Sequence, residues 1–116
     1  MFDEIKKKTE ELCELLSGCE DYVSYKAARD RAMQNETTKA LLKQFTELRL
    51  KAQANTVLGQ EDKELTENMK KIEEILSMNA DAVQYLVCEY RVTALMGYVY
   101  QTLSEAVKLD GVVPEE

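Results

Sequence analysis

The residues of this chain that could carry chemistry are few and widely spaced. It has three cysteines and no histidine, and histidine is the commonest general base and metal-ligating side chain. Cys13 and Cys19 lie six residues apart and Cys88 is remote, so the chain lacks the C-x-x-C spacing of a zinc or redox pair. It also has no glycine-rich phosphate loop and no nucleophile elbow. We therefore predict a protein that is not an enzyme, with no catalytic residue, no metal site and no cofactor.

Glu89 needs an explanation because it lies in the most apolar stretch of the chain. One interpretation is that it reaches the rim of the fold or pairs with a lysine or arginine of another helix. The other is a buried carboxylate that fixes helix register or subunit pairing. The neighbouring Cys88 is interpreted as a small buried hydrophobe. Six tyrosines are interpreted as core and interface residues with their hydroxyls at the boundary: Tyr22, Tyr25, Tyr85, Tyr90, Tyr98 and Tyr100.

Amphipathic segments with apolar residues three and four positions apart must position these side chains. Residues that commonly begin or end helices separate the segments: Asp3, Gly18, Asn35, Gly59 and either Asn79 or Asp81. Ser17 and Glu20 also have the spacing of a capping box for a second helix. No strand pattern is visible. The sequence therefore predicts an all-α fold, a multi-helix up-and-down bundle with a long C-terminal helix.

The last predicted helix, over residues 80–107, is apolar on two faces, and between residues 82 and 103 its only charges are Glu89 and Arg91. One stripe consists of Ala82, Leu86, Val92, Met96, Val99 and Leu103. The second stripe consists of Val83, Val87, Tyr90, Ala94 and Tyr98. A surface helix of a small domain normally has one apolar face. We therefore predict that the second stripe is an oligomer interface and that the protein is a homo-oligomer.

The charge of the chain restricts its partners. Its formal net charge is −7, and its one basic run, residues 6–8, is followed closely by three glutamates. Nucleic-acid binding needs a clustered basic surface, so we expect no direct binding to nucleic acid. No signal peptide is visible at the N-terminus, and no apolar run is long enough for a membrane span. We expect a cytoplasmic protein with no membrane contact, one domain over residues 1–108, and a frayed acidic tail over residues 109–116.

Several marked positions follow one another along the chain: Tyr22, Tyr25 and Ala28; Asn35 followed by Leu41, Leu42, Phe45 and Leu48; Gly59, Gln60 and Glu61; and Asn79 followed by Tyr85, Leu86 and Glu89. Their order and spacing resemble those of the YlbF/YmcA family of bacterial regulators. The resemblance extends from about residue 11 to residue 107. It implies an all-helical fold that forms intertwined homodimers or larger assemblies.

The resemblance also implies a function in competence, biofilm formation and sporulation. The implied mechanism is participation, with other regulatory proteins, in a complex that modulates an endoribonuclease acting on mRNA. Family members associated with iron–sulfur clusters have cysteines near the C-terminus, and residues 109–116 contain none. The cluster is therefore not expected here.

Two classes of function follow from the sequence. The first is a non-catalytic regulatory or adaptor protein that binds protein partners through helical faces. The second is a small-ligand binder or an unrecognised enzyme with a site between helices near Glu89 and the tyrosines. The absence of histidine and of closely paired catalytic residues favours the first class.

Overall fold

A computed structural model describes residues 1–108, which form five α-helices. Their bounds are α1 Asp3–Gly18, α2 Glu20–Met33, α3 Glu36–Leu58, α4 Lys63–Ser77 and α5 Ala80–Ala106. The predicted all-α fold and its long C-terminal helix are confirmed. The frayed tail predicted for residues 109–116 lies outside the described residues.

Three of the helices begin at a side-chain cap. The side chains of Asn35, Asp62 and Asn79 accept hydrogen bonds from backbone N–H groups of the first turns of α3, α4 and α5. Such caps satisfy donors that have no partner within the helix. At the other end of α3, Gly59 has the left-handed conformation (φ 70°) that closes helices and that glycine adopts without a steric cost.

The capping box predicted for Ser17 and Glu20 is wrong. Ser17 lies inside α1, where its hydroxyl donates to the Glu14 carbonyl at 3.2 Å. Cys19 occupies the cap position of α2 and makes no side-chain capping hydrogen bond. Similarly, α1 already includes Asp3, which the sequence placed at the cap. Serine often bonds back to its own helix in this way, because its short side chain reaches a carbonyl in the preceding turn.

The helices pack in two groups around the N-terminal half of α5. α3 and α4 form a hairpin connected by residues 59–62, and α2 packs along α5. The core lies where the groups meet and contains Ala32, Leu42, Ile72, Leu76 and Ala82. α1 contributes no buried residue. The C-terminal half of α5 likewise has none, since the buried residues of α5 are Ala82 and Cys88.

The resulting shape is flat and open. Its extents are 52 × 39 × 16 Å and its radius of gyration is 18.6 Å, whereas a compact domain of this length has a radius of about 13 Å. None of the helices in residues 1–108 combines the length and hydropathy that crossing a bilayer requires. The open shape leaves a large apolar surface on α5 without cover from the chain itself.

Cys88 has the packing of a core residue. It is 1% exposed, and its sulfur accepts a weak hydrogen bond from the Gln84 amide at 3.5 Å. We expect Cys88→Ala to fold and to lower the free energy of unfolding by about 1 kcal/mol, because the lost sulfur leaves a small cavity. Urea unfolding measures this change. The exposed Cys13 provides the control, and Cys13→Ala should leave stability unchanged; equal losses for the two variants would contradict the assignment.

Candidate protein-binding face on the last helix

The second apolar stripe of α5 lies largely in solvent. Tyr90 is 74% exposed and Tyr98 is 70% exposed, and Ala94 between them is also exposed. Val83 and Val87 keep about two fifths of their surface accessible. We call these five residues the α5 face. The structure aligns all of them on one side of the helix, and within residues 1–108 no other helix covers the portion around Ala94.

The first stripe has the opposite environment over most of its length. Ala82 is fully buried, and Leu86, Val92, Met96 and Val99 are half-buried. Leu103 is exposed, because α1 lies beside it across an open cleft rather than in tight contact. The chain thus covers one apolar face of α5 and leaves the other.

The N-terminal part of the α5 face opens into an apolar groove of about 380 Å³. The groove lies between α4 and α5, and one of its lining residues comes from α3. Its lining consists of Phe45, Glu73, Leu76, Ser77, Val83, Leu86, Val87 and Tyr90. Large exposed apolar patches of this kind mark sites of protein interaction. A second depression, which shares Phe45, Leu86 and Tyr90 with the groove, extends it toward Arg49 and Glu89.

Glu89 lies at the end of this depression and has partners from within the chain. Its Oε1 accepts a hydrogen bond from Arg49 Nη1 of α3 at 3.2 Å, and its Oε2 accepts one from the Tyr85 hydroxyl at 3.3 Å. The guanidinium of Arg49 also lies over the Phe45 ring, 5.3 Å from its centroid. Glu89 therefore pairs with an arginine of another helix at a half-buried position, with 28% of its side chain exposed.

Tyr85 extends this hydrogen-bonded group toward α2. Its ring lies 5.7 Å from that of Tyr25. Burial raises the pKa of the Tyr85 hydroxyl well above its ordinary value, and Tyr25 and the Glu89 carboxylate shift the pKa in the same direction. The hydroxyl thus remains protonated over the physiological pH range and donates to Glu89. These contacts connect α5 to α3 through Arg49 and to α2 through Tyr25.

The ion pair should contribute little to stability, because both side chains retain contact with water. The Arg49 and Glu89 side chains are 38% and 28% exposed, and partly exposed pairs are worth about 0–1 kcal/mol. We expect Glu89→Gln to lower the free energy of unfolding by less than about 1 kcal/mol, since glutamine can still accept from Arg49. Urea unfolding at low and high salt measures this. A loss above about 3 kcal/mol would instead indicate a fully buried charge that needs its partner.

Sequence reasoning missed two contacts between helices, the Arg49–Glu89 ion pair and the hydrogen bond between Asn79 and Thr38. Neither Arg49 nor Thr38 was singled out, although Arg49 follows Phe45 by one helical turn on the face toward α5. Thr38 is 2% exposed, and its Oγ1 accepts a hydrogen bond from Asn79 Nδ2 at 2.7 Å. From a single sequence, nothing indicates that a threonine in the first turn of one helix will form a hydrogen bond with the cap residue of another helix. Among the described residues, no group of histidine, cysteine, aspartate and glutamate side chains could hold a metal ion.

Comparison with known proteins identifies the family of this chain. The family described as "Control of competence regulator ComK, YlbF/YmcA" matches residues 5–108, which is nearly all of the described chain. The chain belongs to the YlbF/YmcA family. The family assignment confirms the resemblance that the order of marked residues indicated.

Relatives of this YlbF/YmcA protein include two UPF0342 proteins. One, from Halothermothrix orenii, is 32% identical over 97 residues, which is 80% of each chain. The other, from Symbiobacterium thermophilum, is 27% identical over 100 residues and covers 85% of this chain and 89% of the relative. The alignments therefore extend over most of each protein.

A solved structure shares the fold. It is the crystal structure of Bacillus subtilis RicA in complex with RicF, with a TM-score of 0.62 and 15% identity, covering 91% of this chain and 95% of that one. At this identity the similarity establishes the helical architecture of the YlbF/YmcA protein.

Proposed function

We propose that this chain is a non-catalytic regulatory adaptor that associates with itself through the α5 face and binds other proteins through apolar surface that this association leaves uncovered. The observation that carries the proposal is the exposure of Tyr90 and Tyr98 on an apolar helix face that the chain itself leaves uncovered. Aromatic residues of this kind dominate the binding energy of protein interfaces. The family assignment and the RicA–RicF complex of the fold relative support a regulatory function of this type.

We propose that the protein both associates with itself and binds other proteins. We expect a homo-oligomer built on the α5 face. The apolar grooves that stay exposed in that assembly bind other regulatory proteins of the same complex. By family membership, the process affected is endoribonuclease-dependent mRNA processing, with consequences for competence, biofilm formation and sporulation.

The charge of the protein favours protein partners over RNA. The net charge is −7, and each phosphate contact needs a cation near the surface. In a titration of purified protein against single- and double-stranded RNA at about 150 mM salt, where screening is physiological, we expect no tight binding and no cleavage. Tight, salt-sensitive binding by the protein alone would contradict the adaptor function. Cleavage lost in Glu89→Gln would assign the protein to the enzyme class.

The cellular experiment compares the wild type with a face variant. Tagged wild-type chain and Tyr90→Asp are expressed at equal levels in a strain that lacks the native gene. Bound proteins are identified after cross-linking, and transcript ends are mapped in the same cells. We expect defined protein partners and normal transcript ends with the wild type, and loss of both with Tyr90→Asp. Transcript ends that are identical in the deletion strain and the wild type would overturn the link to mRNA processing.

A further inference from the structure

We infer that α1 is a displaceable arm, which gives up its place beside the C-terminal half of α5 to an amphipathic helix of a partner protein. The inference rests on the partner binding proposed above, and it names the surface that the partner uses and the helix that controls access to it. The surface consists of the α5 residues that line two clefts toward α1, namely Val92, Leu95, Met96 and Leu103. We call these four residues the docking surface.

α1 is attached weakly to the rest of the chain. It contributes no buried residue, and within residues 1–108 only α2 approaches its backbone closely. Its polar side chains bond within α1 itself: the Thr9 hydroxyl donates to the Ile5 carbonyl at 2.7 Å, and Lys8 Nζ lies 3.3 Å from Glu11 Oε2. A helix with few buried contacts separates from the rest of a fold at a low cost in free energy.

The connection between α1 and α2 has the form of a hinge. α1 ends at Gly18, Cys19 has an extended backbone (φ −72°, ψ 155°), and α2 begins at Glu20. No side chain caps the start of α2, and a Cβ placed on Gly18 would meet nothing within 4 Å. Residues at the ends of helices absorb the dihedral changes of rigid-body rotations. α1 can therefore turn about this connection while α2 stays packed on α5.

Open apolar clefts separate α1 from α5. One of about 440 Å³ lies between Ile5 and Leu12 of α1 and Leu103 of α5. Another of about 290 Å³ lies between Leu16 of α1 and the other three residues of the docking surface. Ile5 is 66% exposed and Leu103 is 57% exposed, whereas the side chains of packed helices interdigitate with few voids. α1 therefore lies over the docking surface without filling it.

The chemistry of the docking surface defines its partner. Residues 92–104 carry no formal charge, so this surface favours an apolar helix face. The residues of α1 that line the clefts include positions 5, 9, 12 and 16, and these steps of four and three residues are those of a helix bound in a groove. α1 has a threonine at one of them, Thr9. A partner helix with aliphatic residues at all four positions would bury more apolar surface than α1 does, and it would therefore displace α1.

The first test measures this competition with a defined probe. The probe is a labelled synthetic peptide of residues 2–18 with Thr9→Leu and Cys13→Ser, and fluorescence anisotropy measures its binding to the full chain. We expect saturable binding. Thr9→Leu in the chain itself strengthens the competing α1, so the dissociation constant of the peptide should rise at least about fourfold, the effect of one additional buried methylene. Thr56→Leu is the matched control, because Thr56 is also exposed and bonds back to its own helix.

Two charged variants locate the binding. Leu103 belongs to the docking surface, and Ala94 lies on the opposite side of α5, since nine residues make two and a half helical turns. We expect Leu103→Glu to weaken peptide binding at least about tenfold, because a carboxylate in an apolar groove loses its hydration. Ala94→Glu should leave peptide binding unchanged. Absence of saturable binding, equal affinities of the wild-type and Thr9→Leu chains, or equal effects of the two glutamates would each overturn the inference.

The cellular cross-linking experiment separates this inference from the proposed function. The Thr9→Leu chain should capture less of the partners that the wild type captures, and Thr56→Leu should capture the same amount. Equal capture by Thr9→Leu would overturn the displacement of α1 and leave the adaptor function standing, whereas a wild type without any partner would refute the adaptor function itself. Dissociation of the homo-oligomer by Leu103→Glu, measured by light scattering, would show that a second copy occupies the docking surface, and it would also overturn the inference.

Discussion

Replacing Ala94 with glutamate should dissociate the protein into monomers. Ala94 lies at the centre of the exposed α5 face, and a carboxylate there would be buried in any assembly that uses this face. Burying an unpaired charge costs several kcal/mol, and every 1.4 kcal/mol lowers an affinity about tenfold. We expect the dissociation constant to rise by at least two orders of magnitude, and light scattering over a range of concentrations measures it.

The control for this variant is Ala40→Glu. Ala40 is also exposed and lies inside α3, outside the α5 face, so the same substitution adds the same charge to the same kind of secondary structure. Circular dichroism should show that both variants remain helical. An Ala94→Glu protein that associates as tightly as the wild type would contradict the use of this face, and so would equal dissociation of Ala40→Glu.

The second large effect is expected for Asn79→Ala. The side chain of Asn79 caps α5, accepting from the Ala82 N–H at 3.1 Å, and it donates to buried Thr38 Oγ1 at 2.7 Å. Loss of a cap costs about 1 kcal/mol, and leaving a buried polar group without its partner costs about 1–3 kcal/mol. We expect the free energy of unfolding to fall by about 2–4 kcal/mol in total, measured in urea at a fixed protein concentration.

Two further variants separate the contributions at Asn79. Asn79→Asp keeps an acceptor for the cap, and the Thr38 hydroxyl can rotate to donate to it, so most of the stability should be retained. Thr38→Val removes the bond between helices while the cap is kept. Additive effects in the double variant Asn79→Ala/Thr38→Val would mean that the two side chains do not interact, and a loss below about 0.5 kcal/mol for Asn79→Ala would contradict the whole account.

The sequence predicted those features that depend on local spacing. The cap at Asn35, the restriction of the α5 cap to Asn79 or Asp81, the end of α3 at Gly59 and the two apolar stripes of α5 all follow from residues close to each other in the chain. The structure selects Asn79. The bonds from Arg49 to Glu89 and from Asn79 to Thr38 join residues about 40 positions apart. Helical periodicity indicates which face is apolar but not which helix meets it, so these pairs became visible only in the fold.

The capping box at Ser17 failed for a related reason. A match to a short motif shows only which hydrogen bonds are possible. The Ser17 hydroxyl has another possible acceptor in its own helix, the Glu14 carbonyl. Because α1 extends through Gly18, this carbonyl is the nearer acceptor. The Glu89 environment was left open by the sequence because a carboxylate in an apolar helix fits both a rim and a core, and only the position of Arg49 distinguishes them.

The flat shape of the chain would link its folding to its abundance in the proposed homo-oligomer. There a second molecule would cover the side of α5 that the chain leaves exposed, so the free energy of unfolding would rise with protein concentration by mass action. At low synthesis rates a larger fraction would stay monomeric and open to proteolysis, which removes unfolded and partly folded chains. The amount of functional protein would then rise more steeply than its rate of synthesis.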